Sequence, residues 1–346
     1  MSKDLVLITG ATGHVGFGTL VALLEHGYRA RIVHRRQEQV DKLKHTASLQ
    51  KHLEDVEFVL IPDFQEPSAL EEAVKGVSGI IHVAAPIPLK LDGDCDWQKH
   101  FYDPAKKGTL NLFTAAAKEP SVKRIVVTST CGITEYARPG PTGPLDIIPL
   151  PDAETAKKAG SAYLAYQYSK AMAYYAALEF IEIKKPHFDV VHMLLGYVQG
   201  ANELYSSAQD IVDPDRCGSN NGVMLTARGI LSNIPRMTAQ VHLSDVARAH
   251  VLSLKPENAK SGDNFILAAF SGQSIPWKEF VPIIRERFPD AIERGILNPD
   301  ARNDDILMSF DVSNSEAAFG KFLGSEEMVQ SVVGQYIDIL KSQDNK

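Results

Sequence analysis

Residues 5–20 read LVLITGATGHVGFGTL, an apolar run that ends on three glycines, Gly10, Gly13 and Gly16, and continues into a helix-like pattern. Glycine at the first position permits a tight turn, and at the second it lets the backbone approach a pyrophosphate. At the third it lets the helix pack closely on the strand. The N-terminus of such a helix offers free N–H groups and a positive dipole end to phosphate. Strand-to-helix turns often carry a glycine without binding anything. Three at this spacing, with a strand before and a helix after, favour a dinucleotide cradle.

The rhythm downstream agrees. Strand-like runs at 5–9, 31–34, 56–61, 79–83, 124–129 and 189–195 alternate with helical patterns at 13–25, 68–75, 107–117 and 162–183. Such alternation predicts an α/β fold, a Rossmann-type doubly wound parallel sheet. The near-continuous apolar character of 80–83 and 125–127 suits strands buried on both faces. Past 197 the alternation stops: 197–240 is rich in Gly, Asn, Asp and Pro, a strand-like run returns at 264–268, and helices are predicted over 278–288 and 326–341. Five of the nineteen prolines fall between Pro139 and Pro151, an extended loop of the kind that shapes binding sites.

The second strand ends in ARIVHRRQ. An NAD site places an acid there for the ribose 2′-OH. Here Arg35 and Arg36 stand instead, and guanidinium groups suit a 2′-phosphate. A solvated basic turn is the alternative; NADPH is expected over NADH. Asp63 is a candidate for the adenine amino group or, equally, a turn cap. The chain is then expected to divide into an NADP-binding Rossmann domain at 1–195, with a returning segment at about 241–270, and a smaller interleaved substrate-binding domain at 196–240 and 271–346.

Tyr166 and Lys170 are four apart in AYLAYQYSKAM, hence on one face of a helix. A phenol titrates near 10 and is a poor acid–base at neutral pH. A neighbouring ammonium should lower that value and let the phenol shuttle a proton. Ser129 and Thr130 close a predicted buried strand, where a hydroxyl can donate to a carbonyl oxygen, although strand-end hydroxyls more often bond to nearby backbone.

Composition narrows the field. Thirty-six basic against forty-three acidic residues give a formal net charge of −7, which argues against gripping nucleic acid by bulk charge. Three cysteines without CxxC spacing fit a reducing compartment and offer no thiolate zinc site. None of the eleven histidines pairs with another at helical spacing, so no metal is expected. His82 and His242 read as strand-end hydrogen-bonding groups, Cys131 as a buried filler, and Trp97 and Trp277 as packing residues. The first apolar run is too short for a signal peptide or a membrane span, and a cytoplasmic protein with no membrane partner is expected.

Taken together, TGATGHVG, HRR at 34–36, PDF at 62–64, IHVAAP at 81–86, VVTSTCG, YQYSK and VHLSDVARAH at 241–250 resemble the extended short-chain dehydrogenase/reductase family. Within it the likeness is to the dihydroflavonol-reductase branch and to fungal carbonyl (aldehyde or keto) reductases. It covers about residues 1–270. The resemblance implies Tyr166 as proton donor, Lys170 as its modulator and ribose ligand, and Thr130 as the carbonyl-polarising hydroxyl. It implies cofactor contacts at Gly10, Thr12, Gly13, His14, Val15, Gly16, Arg35, Asp63, Phe64, Ala84, Ala85, Tyr166 and Lys170, and substrate contacts at Pro86, Ile133 and Tyr197. Three departures stand out. The family usually has serine where Thr130 stands; Pro104 and Ala105 replace the asparagine of sugar-nucleotide epimerases; and LLGYVQG at 194–200 lacks the usual proline.

The expectation is therefore NADPH-dependent reduction of a fairly apolar, uncharged ketone or aldehyde by a monomer or homodimer. The rivals are an NAD-dependent nucleotide-sugar epimerase or dehydratase, and a nicotinamide-sensing protein that does no chemistry.

Overall fold

The structure, a computed structural model, describes residues 3–87, 95–213, 216–232, 235–300 and 304–344. Six strands appear in chain order: β1 (Leu5–Thr9), β2 (Arg29–His34), β3 (Val56–Leu60), β4 (Gly79–His82), β5 (Arg124–Thr130) and β6 (Asp189–Leu195). With the strand Asn264–Leu267 they form one seven-stranded parallel sheet in the spatial order β3-β2-β1-β4-β5-β6-(Asn264–Leu267). The predicted doubly wound sheet is thus present, and the run at 264–268 does return to its edge.

Side chains alternate across each strand, so an apolar run feeds two cores at once. Leu7, Val33, Ile80, Ile125, Val127 and Val190 pack on one face with Leu112, Phe113 and Phe180. Ile8, Ile32, Ile81, Val126, Val191 and Met193 pack on the other with Leu20, Leu23, Val246 and Ala249. The helices supplying those partners are α1 (His14–Glu25) and Leu243–Leu252 on one side, Asp103–Lys118 and Ala162–Lys184 on the other. A third core, around Val223, Trp277, Phe280, Met328 and Val332, takes its buried residues from 208 onward, with Tyr205 packed against it.

One predicted helix is not there. Residues 68–75 are turns, whose backbone bonds mostly close back three residues rather than four, as in Ala69 N–H to Glu66 O and Glu71 N–H to Ser68 O. Leu70, Ala73 and Val74 are still buried. The apolar spacing was sound, but tighter bonds satisfy the backbone.

Strand order reverses between β1 and β4, because the chain leaves β1 toward β2 and β3 and then crosses back. That switch point opens a crevice at the carboxyl ends of the strands. The glycine turn, the segment after β4, and the ends of β5 and β6 all meet its rim.

Candidate active site

Gly10 sits at φ +76°, and a Cβ there would fall 2.7 Å from Ala84 N. A Cβ on Gly16 would fall 2.1 Å from the Gly10 carbonyl oxygen. Both glycines are therefore obligatory, one for conformation and approach, the other for helix-on-turn packing. Gly13 is exposed and meets nothing nearer than Gly10 O at 3.5 Å, so its open face can admit a phosphate. The start of α1 has neither a side-chain cap nor an acidic residue in its first turn. Its leading N–H groups are free for an anion. This cradle fits a dinucleotide pyrophosphate. Gly16→Ala is expected to cost about 1–3 kcal/mol of stability, the scale of overpacking against groups that cannot rotate away, and to weaken dinucleotide binding. Thermal unfolding and a cofactor titration check it; unchanged values in both would mean that the turn relaxes freely.

Thr12 Oγ1 accepts a hydrogen bond from Gln39 Nε2 at 3.3 Å, and Gln39 Oε1 accepts from the backbone N–H groups of Arg35 at 2.9 Å and Arg36 at 3.2 Å. Gln39 thus ties the glycine turn to the basic turn. Its one signal in the sequence is its place three residues past Arg36, where a capping side chain reaches back to the helix start. Arg35 and Arg36 are exposed and make no ion pair among the described residues, whereas Arg29 and Arg31 are both taken by Glu57. Asp63 acts as a turn cap: its Oδ1 accepts from Gln65 N–H at 2.9 Å. Phe64 is half-buried, with its carbonyl held by Asn111 Nδ2 at 2.9 Å and its ring edge-on to His82.

At the crevice floor, Thr9 Oγ1 accepts from Ala84 N–H at 3.2 Å and bonds His82 Nδ1 at 2.8 Å. The direction of the Thr9–His82 bond follows the imidazole tautomer, since a hydroxyl can both give its hydrogen and accept at two lone pairs. Burial, and then the nearby Lys170 charge, drop the imidazole pKa to about 3, so it is neutral. Ala84, Ala85 and Pro86 follow, half-buried along the rim. Val15 packs onto the sheet core. The His14 side chain turns away from the crevice: it stacks on Tyr205 and meets Asn202 Nδ2 through Nδ1 at 3.3 Å. Only its backbone is left to face a phosphate.

The helix Ala162–Lys184 is started by Ser161, whose Oγ accepts from Leu164 N–H. Four residues apart on it, Tyr166 and Lys170 share one face, and Lys170 reaches β5 near its end. Lys170 is 7% exposed, and its Nζ donates to Thr128 O at 2.8 Å. Burial lowers its pKa to about 8. The Tyr166 hydroxyl makes no hydrogen bond among the described residues. One expectation is overturned here. The phenol is pushed above its ordinary value, by burial first and then by Cys131 and Tyr197, while the Lys170 ammonium is held on the Thr128 carbonyl. Thr130 ends β5; its Oγ1 accepts from Gly132 N–H at 3.1 Å and donates weakly to Leu195 O at 3.4 Å.

The wall beyond Thr130 is aromatic. Cys131 is buried and inert, its thiol pushed up to about 12 by burial. Tyr197 is half-buried at the rim, while Gln167 holds the Tyr136 hydroxyl at 3.3 Å. Ile133, expected to touch substrate, is 0% exposed. It backs the wall from within the core and presents no surface. Among the described residues no group of His, Cys, Asp and Glu could hold a metal, and no helix is long and apolar enough to cross a membrane.

Residues 6–268 match the sequence pattern of the NAD dependent epimerase/dehydratase family. The chain belongs to that family. Among the curated relatives of this extended short-chain dehydrogenase/reductase, Ketoreductase CTB6 of Cercospora beticola is 31% identical, covering 98% of this chain and 96% of its own. Ketoreductase sphI of Aspergillus fumigatus is also 31% identical, over 98% of this chain and 99% of its own. The fold matches the crystal structure of yeast methylglyoxal/isovaleraldehyde reductase Gre2 complexed with NADPH. That match has a TM-score of 0.80 at 20% identity and covers 99% of this chain and 100% of the other.

Proposed function

We propose that this chain reduces a ketone or aldehyde to an alcohol with NADPH. The observation that carries the reading is a phenol with no hydrogen-bond partner among the described residues, Tyr166, kept protonated by burial beside the buried Lys170 ammonium and opening onto the crevice that holds the glycine cradle. Relatives named ketoreductases and a like-folded reductase that binds NADPH support it, as do the unpaired guanidinium groups at 35 and 36.

The glycine turn and Arg35 would hold the dinucleotide, which when bound would supply hydride for the carbonyl carbon. Tyr166 Oη gives its proton to the carbonyl oxygen. Thr130 Oγ1 exchanges its long bond to Leu195 O for that oxygen, where a fixed donor stabilises developing negative charge. Lys170 steadies the phenolate left behind. Its hold on Thr128 O keeps the ammonium at the strand end, close to where that charge forms. Tyr197 and Met237, from the segments around 196–240, supply the substrate side of the crevice.

A pH dependence follows. Reduction needs Lys170 charged, and with a pKa of about 8 the ammonium is lost as pH rises through that value, so kcat/KM falls there. His82 titrates near 3 and the Tyr166 phenol stays protonated, so neither supplies this limb. A pH–rate profile for the wild type and Lys170→Met tests it: the limb should vanish in the variant, and a flat wild-type profile across that range would count against the role.

The overall test is cofactor consumption against a panel of aromatic, aliphatic and β-dicarbonyl compounds, with NADH in parallel. Turnover with NADPH supports the reading. Tight cofactor binding without turnover would favour a sensor, and substrate conversion without net cofactor consumption would favour an epimerase.

A further inference from the structure

Gln167 comes directly after Tyr166 on the helix Ala162–Lys184 and is 5% exposed. A carboxamide in such a place costs stability unless its hydrogen bonds are made. Here Nε2 donates to the Gly132 carbonyl and, at 3.3 Å, to the Tyr136 hydroxyl. A carbonyl oxygen only accepts, so the nitrogen is the end of the amide that meets Gly132.

Gly132 is also the residue that holds Thr130. The chain leaves β5 through one tight turn, Cys131–Ile133, in which Gly132 N–H donates to Thr130 Oγ1 at 3.1 Å. A hydroxyl has one hydrogen and two lone pairs. With a lone pair taken by Gly132, the hydrogen is left for another acceptor, and Leu195 O meets it only at 3.4 Å. The turn is pinned on both sides of this glycine. Before it, the Cys131 carbonyl accepts from Thr134 N–H at 3.0 Å and from Thr134 Oγ1 at 2.7 Å. After it, the Gly132 carbonyl is held by Gln167, from outside the turn. Glycine has the freest backbone of any residue, so an external hold matters most there. The packing is as close as the bonding: a Cβ on Gly132 would fall 3.3 Å from both Gln167 Nε2 and Thr130 Oγ1.

We infer that Gln167 is a positioning residue: by gripping Gly132 it fixes Thr130 Oγ1 relative to the helix that carries Tyr166, and so sets the spacing of two hydroxyls that meet one carbonyl oxygen. This rests on the proposed reduction. Two donors serve one developing oxyanion only when both are held in place before the reaction. Tyr166 is carried by a helix and Thr130 by the end of a strand. Lys170 ties that helix to β5 at Thr128, before Thr130. Gln167 ties it to the turn just after Thr130, which brackets the hydroxyl on both sides.

The test crosses Gln167→Met with Thr130→Val, which exchanges the hydroxyl for a methyl, on any ketone that the wild type accepts. Alone, Gln167→Met should lower kcat about 3–10-fold, the scale of one neutral hydrogen bond, with KM and the Kd for NADPH nearly unchanged. In the Thr130→Val background it should have almost no effect, because no hydroxyl is left to aim. Equal loss in both backgrounds would make Gln167 a strut of the core, and an unchanged kcat in the wild-type background would mean that the turn holds itself; either result overturns the inference. A second readout needs no substrate. With methyl-labelled threonine, the Thr130 methyl resonance, assigned by its absence in Thr130→Val, should shift or broaden in Gln167→Met, and an unmoved resonance also overturns the inference. Gln167→Leu repeats both measurements if the Met variant does not fold, and failure of both to fold would assign Gln167 to the core and overturn its positioning role. A moved resonance in a protein that reduces no ketone would leave the grip on Thr130 standing and overturn the reduction reading instead.

Discussion

Tyr166→Phe is expected to lower kcat about 10²–10⁴-fold, the ordinary worth of a positioned general acid, while the Kd for NADPH stays within about twofold of the wild type. The separation of the two effects follows from the geometry. The glycine cradle and Arg35 are carried by the β1 and β2 turns, and neither uses the phenol oxygen. That oxygen makes no hydrogen bond within the described protein, so its removal breaks no internal contact and the variant should fold as before. Tyr168 cannot take over, since it lies two residues on and faces away on the same helix. Stopped-flow or steady-state reduction of any accepted ketone gives kcat, and fluorescence titration gives Kd. A fully active variant would remove Tyr166 from the chemistry. A variant that loses NADPH binding as well would give the phenol a role in holding the ribose rather than in moving the proton.

Much of this arrangement was legible in the residues, and what was not has physical causes. β1 and β6 have the bounds that the apolar runs imply, because both are buried on two faces and no charged residue interrupts them. β2 begins two residues earlier than its apolar run, at Arg29, since Arg29 and Arg31 are neutralised by Glu57 on the adjacent strand. A charged side chain in a strand looks like a loop until its partner is known. The helix Asp103–Lys118 likewise starts four residues before the predicted 107. Pro104, which reads as a breaker, stands in the first turn, where its missing N–H costs nothing.

The site divides the same way. Glycine spacing, the strand-end Thr130 and the Tyr166/Lys170 pair are local patterns, and they were found as such. The links that organise them run between residues far apart in the chain: Gln39 to Thr12, His82 to Thr9 and Tyr163 to Met237 are separated by 27, 73 and 74 positions. No periodicity encodes such pairs. The direction of the Tyr166 shift was missed for a related reason. Helical spacing places Lys170 near the phenol, but the burial that raises the phenol comes only with the fold.

The expected preference for NADPH rests on charge left without a partner among the described residues. Gln39 pins the backbone of Arg35 and Arg36 against the glycine turn, so their guanidinium groups start from a fixed base beside the cradle. Nothing acidic among the described residues neutralises them. A 2′-phosphate offers two negative charges and a geometry suited to a bidentate guanidinium contact, whereas NADH presents only a hydroxyl there. Hydrogen bonds to charged groups are worth about 1.5–3 kcal/mol, and every 1.4 kcal/mol is tenfold in affinity. Arg35→Ala is therefore expected to raise the Kd for NADPH about 10–100-fold, toward the lower end because the site is exposed and screened by salt, and to leave NADH nearly unchanged. Titrating both cofactors at two ionic strengths provides the check. The wild-type preference should shrink at high salt, and the variant's should hardly respond. Equal weakening of both cofactors would place Arg35 on the shared part of the dinucleotide, and an unaffected NADPH affinity would move the phosphate contact to Arg36, whose own Ala variant then has to show the loss.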